Sequence, residues 1–164
     1  MILNYIHWNI KPEIFTIGDW GPRWYGLLFA LSFVFGYYIM QKFFKKEGVK
    51  QEVLDSLTIY MFLGTLLGAR LGHCLFYQPA YYLANPIEIL MVWQGGLASH
   101  GAGVGIFISL FLFARKHKKP YLWILDKAAI VVALAGFFIR TGNLMNSEIY
   151  EHVTSLPLGF IFDR

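Results

Sequence analysis

The sequence has a single cysteine, Cys74, so no disulfide can form within the chain. Because Cys74 lies in an apolar stretch, it reads as a small buried hydrophobe rather than as a nucleophile. Charge is also scarce, at 15% of residues against 57% hydrophobic and 18% aromatic, and that balance exceeds what a soluble domain of 164 residues buries. No internal repeat, low-complexity tract or polar linker divides the chain, so a single membrane-embedded domain over 1–164 is expected. The opening "MILNYIHWNIKPEIFTIGDW" lacks a basic run and breaks its apolar pattern with Lys11, Pro12, Glu13 and Asp19. It reads as an interfacial arm and not as a cleavable signal peptide. The five histidines, His7, His73, His100, His117 and His152, have no close spacing and no cysteine or carboxylate at ligand spacing, so no metal site and no cofactor are expected.

What the sequence has instead is apolar length. The stretches 24–44, 54–77, 87–114 and 122–145 each reach the roughly 20 residues that a spanning helix needs. The expected fold is therefore all-α, a polytopic transmembrane bundle of four spanning helices with an N-terminal interfacial arm. The net charge of +4 would suit nucleic acid if it were spread over one face, but it is concentrated in two connections. Lys42, Lys45, Lys46 and Lys50 surround the first, Arg115, Lys116, Lys118 and Lys119 fill the third, and the second, "QPAYYLANPIE", has neither lysine nor arginine. The positive-inside rule then places both basic loops in the cytoplasm and both chain ends outside, with no nucleic-acid partner. Gly64, Gly68 and Gly72 in the second stretch and Gly101 and Gly105 in the third recur every four residues, the spacing that lets helix backbones approach closely in lipid.

This topology gathers scattered polar residues toward the outer face. Tyr25 stands at the outer end of the first stretch, Arg70 and His73 in the outer half of the second, and Arg140, Asn143, Asn146 and Glu148 at the outer end of the fourth. His100 sits in "WQGGLASHGAGVG", about 13 residues from Ile87, which is near mid-membrane if 87–114 is one regular helix and nearer the outer face if Gly95 and Gly96 break it. An arginine at the bilayer centre costs about 2.5 to 3.5 kcal/mol on insertion scales, so such residues face the protein interior or a watery cavity. A guanidinium flanked by amides at the membrane face suits a phosphodiester, because its planar fork matches phosphate oxygens, and the phosphate at hand is a lipid head group. The structural alternatives are ion pairs, Arg70 with Glu88 or Arg140 with Glu148, and for His100 a hydrogen bond to a neighbouring helix. A small transporter or proton-relay subunit, with Arg70, His73, His100 and Arg140 lining a path, and a noncatalytic membrane scaffold are the competing classes.

Four segments, "GPRWYGLLFALSF", "GARLGHCLFY", "VWQGGLASHGAGVGI" and "RTGNLMNSEIYE", in that order and spacing, resemble the prolipoprotein diacylglyceryl transferase family. The resemblance implies a multi-pass enzyme of the bacterial cytoplasmic (inner) membrane with its active site toward the extracytoplasmic side. It would transfer the diacylglyceryl group of phosphatidylglycerol to the lipobox cysteine of a prolipoprotein, releasing glycerol phosphate, in the first step of bacterial lipoprotein maturation. Its partners are then phosphatidylglycerol, the lipobox-containing prolipoprotein and membrane lipid. By motif, Tyr25, His100, Arg140, Asn143, Asn146 and Glu148 fall on positions the family uses. His100 would activate the thiol or position the head group, since a thiol of pKa about 8.5 reacts as thiolate and needs a base or a positive field. Arg140 would hold the phosphate, with Arg70 also on the substrate, Asn143 and Asn146 orienting it, and Glu148 orienting Arg140 or a substrate hydroxyl. Tyr25 would donate a hydrogen bond or stack at the interface.

Three residues depart from the family pattern. Ile139, Leu144 and Glu151 stand where glycine, phenylalanine and glycine are usual, and Glu151 adds a carboxylate beside the phosphate site, which is expected to weaken activity. Family members also continue past the equivalent of "GFIFDR" through helices that supply another essential arginine, so the resemblance implies the first half of the enzyme.

The charge bias is directly testable. Cysteines placed at Lys45 and Lys118 should resist a membrane-impermeant maleimide in intact cells, while cysteines near Tyr82 and His152 should react. Labelling of the lysine loops from outside would overturn the orientation.

Overall fold

The computed structural model describes residues 6–18, 21–92, 95–148 and 160–162. The elements in order are β1 (Ile6–Trp8), α1 (Trp24–Lys46), α2 (Gln51–Phe76), α3 (Pro79–Ala84), α4 (Pro86–Ile89), α5 (Ser99–Lys116), α6 (Tyr121–Met145) and β2 (Phe160–Phe162). Contacts gather into two compact units, one of 1–36 with 131–164 and the other of 37–130. Among the described residues three helices, α1, α2 and α6, are long and apolar enough to cross a membrane.

Local chemistry explains where these helices stop. After α1 the chain turns at Gly48 with φ +67°. The Gly48 amide donates to the Lys45 carbonyl at 3.3 Å and the Val49 amide to the Phe44 carbonyl at 2.8 Å, the Schellman pair that closes a helix C-terminus. Lys45 and Lys46 in the last turn complement the negative end of the helix dipole. The same motif ends α5, with Lys118 at φ 52° taking the place of glycine and the Lys119 amide reaching the Ala114 carbonyl at 3.0 Å.

The expected third span, 87–114, is not one helix. Pro79 and Pro86 each open a short helix from its first turn, where a missing N–H is harmless. Gly95 and Gly96, at φ +86° and +70°, then hold a conformation closed to most side chains, and α5 starts only at Ser99. The break weighed at these glycines is thus real, and it leaves α5 with 18 residues rather than a full apolar span.

Within the 37–130 unit, α5 lies against α2 along the glycine stripe. A Cβ on Gly68 would come 2.5 Å from the Gly101 carbonyl oxygen and 2.8 Å from the Gly105 Cα, and one on Gly72 would come 2.6 Å from the Gly101 Cα. The backbones themselves are in contact, as small-residue spacing in a membrane helix pair predicts. Cys74 is 0% exposed beside this seam, in keeping with its reading as a small hydrophobe. Leu54, Leu110, Phe113 and Ile124 are likewise buried, whereas Ile59, Leu63, Leu67 and Phe107 face outward, as they should in hydrocarbon.

Within the other unit the N-terminal arm is folded on itself. The Ile14 amide donates to the Pro22 carbonyl at 2.8 Å and the Trp24 amide to the Pro12 carbonyl at 2.9 Å, with Glu13 bridging Arg23. β1 pairs in parallel with β2, Ile6 opposite Phe160 and Trp8 opposite Phe162. These two short strands are the non-helical addition to the all-α architecture expected from the sequence.

Gly68→Ala should push α2 and α5 apart and lower the melting temperature in detergent by the equivalent of about 1–3 kcal/mol of overpacking. Gly103→Ala is the control, since nothing lies within 4 Å of a Cβ there. Equal melting of the two variants would mean that the glycine seam does not hold the pair together.

Candidate functional site

The sequence-selected residues fall into two clusters, one in each compact unit. The first is built around Arg70, which is 2% exposed on the last third of α2. A buried guanidinium must find acceptors, and here they are backbone carbonyls. Nε donates to Ile89 at 3.0 Å, one terminal nitrogen to Gly95 at 2.5 Å and Gly96 at 3.4 Å, and the other to the Glu88 carbonyl. The guanidinium also lies 5.1 Å from the centre of the Tyr82 ring, a cation–π distance.

The side-chain ion pair considered for Arg70 and Glu88 is replaced by this carbonyl clamp. The Glu88 carboxylate instead accepts the Tyr81 hydroxyl at 2.8 Å. That hydrogen bond, followed by burial, raises the Tyr81 pKa, so the phenol stays protonated and donating. The donors of Arg70 are spent on the chain between α4 and α5, and the role this geometry supports is positioning that chain.

The clamp determines where His100 stands. Gly96 is pressed so closely that a Cβ there would meet the His73 ring at 2.6 Å and an Arg70 nitrogen at 2.9 Å. Two residues on, the Ala98 amide donates to the Ala69 carbonyl of α2 at 2.9 Å, tying the start of α5 to α2. His100 then becomes the second residue of α5. Its exposed ring meets Phe76 edge-on at 5.0 Å and Tyr77 at 5.9 Å. Tyr77 stacks on His73 at 5.4 Å, so one tyrosine contacts both imidazoles. Among the described residues His100 makes no hydrogen bond, and the helix-fastening role considered for it has no partner here.

The second cluster sits where α6 ends. The Ser147 amide donates to Leu144 at 3.1 Å and the Glu148 amide to Asn143 at 2.9 Å, again the Schellman pair. Here the left-handed position is Ser147 at φ 55°, which costs about 1–2 kcal/mol that glycine would not incur. Strain of this kind concentrates at functional segments. Asn143 is 6% exposed. The Asn146 side-chain oxygen and the Ser147 hydroxyl are buried with no hydrogen-bond partner among the described residues. Tyr25, second residue of α1, packs against the same end of α6, for a Cβ on Gly142 would come 2.9 Å from its ring and 3.2 Å from its Cα. Trp8 donates its indole N–H to the Leu144 carbonyl at 2.8 Å, which places β1 over this helix end.

Arg140 lies in the last two turns of α6 and is exposed. It has neither an ion pair nor a hydrogen bond among the described residues, so the pair considered with Glu148 is absent and its fork is uncommitted. Glu148 is exposed as well. Glu151, expected to disturb the site, lies outside the described residues, as do Trp93 and Gln94.

Sequence reasoning gave no role to Phe76 and Tyr77, although they close the segment "GARLGHCLFY", nor to Tyr82; these rings acquire meaning by facing a histidine or an arginine. It also missed the carbonyl acceptors of Arg70 and the left-handed Ser147, neither of which has a sequence signature.

Removing the clamp should be visible without any activity assay. In Arg70→Met several carbonyls lose their donors at about 1–3 kcal/mol each, so the 86–98 segment should become protease-sensitive and the melting temperature should fall. Arg70→Lys should restore only part, since one ammonium cannot reproduce the fork. Unchanged protease resistance in both would mean that the carbonyls find other donors.

Residues 12–164 match the model of the family described as prolipoprotein diacylglyceryl transferase. The chain is 48% identical over 160 residues to a phosphatidylglycerol–prolipoprotein diacylglyceryl transferase of Tolumonas auensis, covering 97% of this chain and 62% of the relative. It is 46% identical to that of Chloroherpeton thalassium (98% and 60%) and 47% identical to that of Porphyromonas gingivalis (98% and 57%). The chain thus spans about three fifths of the length of these curated relatives.

Proposed function

The chain belongs to the prolipoprotein diacylglyceryl transferase family, and on that premise we propose that it serves the transfer of the diacylglyceryl group of phosphatidylglycerol to the lipobox cysteine of a prolipoprotein. The observation that carries this reading is the exposed Arg140 guanidinium, without an ion pair or hydrogen bond among the described residues, on the turn before Asn143 and Asn146, the latter with a buried oxygen that meets no donor among those residues. A free planar fork beside two amides is the donor set for a phosphodiester and the glycerol hydroxyls attached to it.

The thiol proton passes to His100, the sulfur attacks the glyceryl carbon that bears the phosphate, and the carbon–oxygen bond breaks. Its electron pair leaves on the phosphate of glycerol phosphate. Arg140 stabilises the charge that develops there, which is where such a reaction gains most from fixed donors. Asn143 and Asn146 orient the head group, Glu148 orients Arg140 or a substrate hydroxyl, and Tyr25 donates a hydrogen bond at the same helix end. His100 occupies the first turn of α5, whose N-cap is Ala98 and offers no side-chain acceptor. The free amides of that turn and the positive end of the helix dipole favour an anion nearby, whether thiolate or phosphate. Arg70 acts through the backbone between α4 and α5 rather than on the substrate.

In the same reading α5 is the fourth membrane helix, its 18 residues made sufficient by close packing on α2. The lysine-rich loops face the cytoplasm, the protein resides in the bacterial inner membrane, and both clusters open toward the extracytoplasmic side.

The test is transfer itself, in a protein of the full family length, followed as a mass increase of one diacylglyceryl group on a lipobox peptide supplied with phosphatidylglycerol. Arg140→Lys keeps the charge and loses the fork, and it should lower the rate about 10²–10³-fold while the protein elutes normally in detergent. His100→Gln should lower it about 10²–10⁴-fold, as expected for loss of a general base. A normal rate in the first variant would return Arg140 to a structural role, and in the second would dismiss the base.

A further inference from the structure

At the lysine-rich end of the 37–130 unit, α1 and α6 enclose a groove of about 390 Å³ that contains none of the residues assigned above. It is lined by Phe43, Lys46, Glu47, Asp126, Lys127 and Ile130. Two of its four charges cancel within the wall. Lys127 pairs with one Glu47 oxygen at 2.8 Å while the Trp123 indole donates to the other at 2.7 Å. The Lys127 ammonium lies 4.2 Å from the centre of the Trp123 ring. The hydrogen bonds from Lys127 and then Trp123 hold the Glu47 carboxyl below its ordinary value, so this pair stays ionised and closed on itself.

The other two charges are exposed on the rim. Neither Lys46 nor Asp126 makes an ion pair or a side-chain hydrogen bond among the described residues. Lys46 is the last residue of α1 and Asp126 lies in the second turn of α6, so both stand where an apolar span gives way to a charged loop. Below them Phe43 and the exposed Ile130 form an apolar floor. Trp123 marks the depth, since tryptophan favours the boundary between hydrocarbon and head groups. The groove therefore changes from apolar to charged within about one helical turn, and its net charge is zero.

We propose that this groove holds one phospholipid with a primary-ammonium zwitterionic head group, phosphatidylethanolamine in chemical class, its phosphate on Lys46 and its ammonium on Asp126. The charge pattern selects that occupant. An anionic head group would satisfy Lys46 but face the Asp126 carboxylate, and a choline head group would offer Asp126 no N–H donor. The site is distinct in residues and in lipid class from the phosphate-handling residues of α6, and it rests only on the chain being membrane-embedded.

The experiment is native mass spectrometry of the purified chain in detergent with equimolar phosphatidylethanolamine and phosphatidylglycerol. In parallel, a phosphatidylethanolamine carrying a diazirine on its acyl chain is cross-linked and the labelled peptides are mapped. One phosphatidylethanolamine should be retained, with label on the peptides containing Phe43 and Ile130. Asp126→Asn, at an exposed position that leaves the Glu47–Lys127 pair intact, should cut the preference for phosphatidylethanolamine about fivefold, the scale of one interfacial charge. Lys46→Gln should weaken retention of both lipids. Equal retention of the two lipids by the unaltered protein, or label at Phe43 and Ile130 indifferent to both substitutions, would overturn the proposal. Retention of phosphatidylethanolamine here together with no diacylglyceryl transfer by the protein of full family length would sink the proposed activity alone, and transfer by that protein without this retention would sink this site alone.

Discussion

Backbone polar groups in a membrane must be paired within the protein, and the stretch between α4 and α5 is where this chain meets that constraint with a side chain. Helices satisfy their own amides and carbonyls, but residues 90–92 and 95–98 lie outside α4 and α5, and hydrocarbon offers no donor to replace water. Arg70 supplies several donors from one buried position, to Glu88, Ile89, Gly95 and Gly96. The cost of burying its charge is met by charge-assisted hydrogen bonds and by the Tyr82 ring. An arginine that looks like a substrate ligand in the linear sequence is in this arrangement a fastener. Because of it, the chain can abandon a helix and begin another with a histidine in its first turn.

That fastener works only because α2 and α5 share a seam without side chains. Gly68 and Gly72 bring the α2 backbone against Gly101 and Gly105, which sets the height of α5 along α2. Phe76 and Tyr77, on the last turn of α2 and just past it, then fall opposite His100. A bulkier seam would separate the helices and remove the rings from the imidazole. Packing and chemistry are linked through glycine, a residue with no chemistry of its own.

Three helix ends in this protein use one backbone device for different purposes. After α1 and α5 the Schellman turn caps helices that run into lysine-rich loops, and Gly48 and Lys118 occupy its left-handed position. After α6 the same turn carries Asn143, Asn146, Ser147 and Glu148, with a serine held where glycine would be relaxed. Near the lysine-rich ends Glu47, Lys127 and Trp123 close on one another. Arg140 of α6 has no such partner among the described residues.

Much of this organisation was legible in the amino-acid order. Apolar length marked α1, α2 and α6, because burial in hydrocarbon is a property of composition that needs no partner. Gly95 and Gly96 offered a break before α5 as one of two readings, because positive φ is a local demand that few other residues meet. The motif around Arg140, Asn143, Asn146 and Glu148 pointed to the family before any contact was known. What the order of residues could not tell was where the guanidinium of Arg70 goes, since carbonyl acceptors are the same on every residue. Nor could it tell that Phe76 and Tyr77 frame His100, that β1 is laid over the end of α6 by the Trp8 indole, or that 87–114 yields only a short helix. Those outcomes depend on how one helix is set against another, and that register is decided by backbone contacts at glycine and by hydrogen bonds to main-chain oxygens. Sequence determined which segments are apolar and long enough to span a membrane and which residue types stand ready; tertiary structure decided that Arg70 is spent on the chain while Arg140 meets no acceptor among the described residues, because only packing determines whether an acceptor lies within reach.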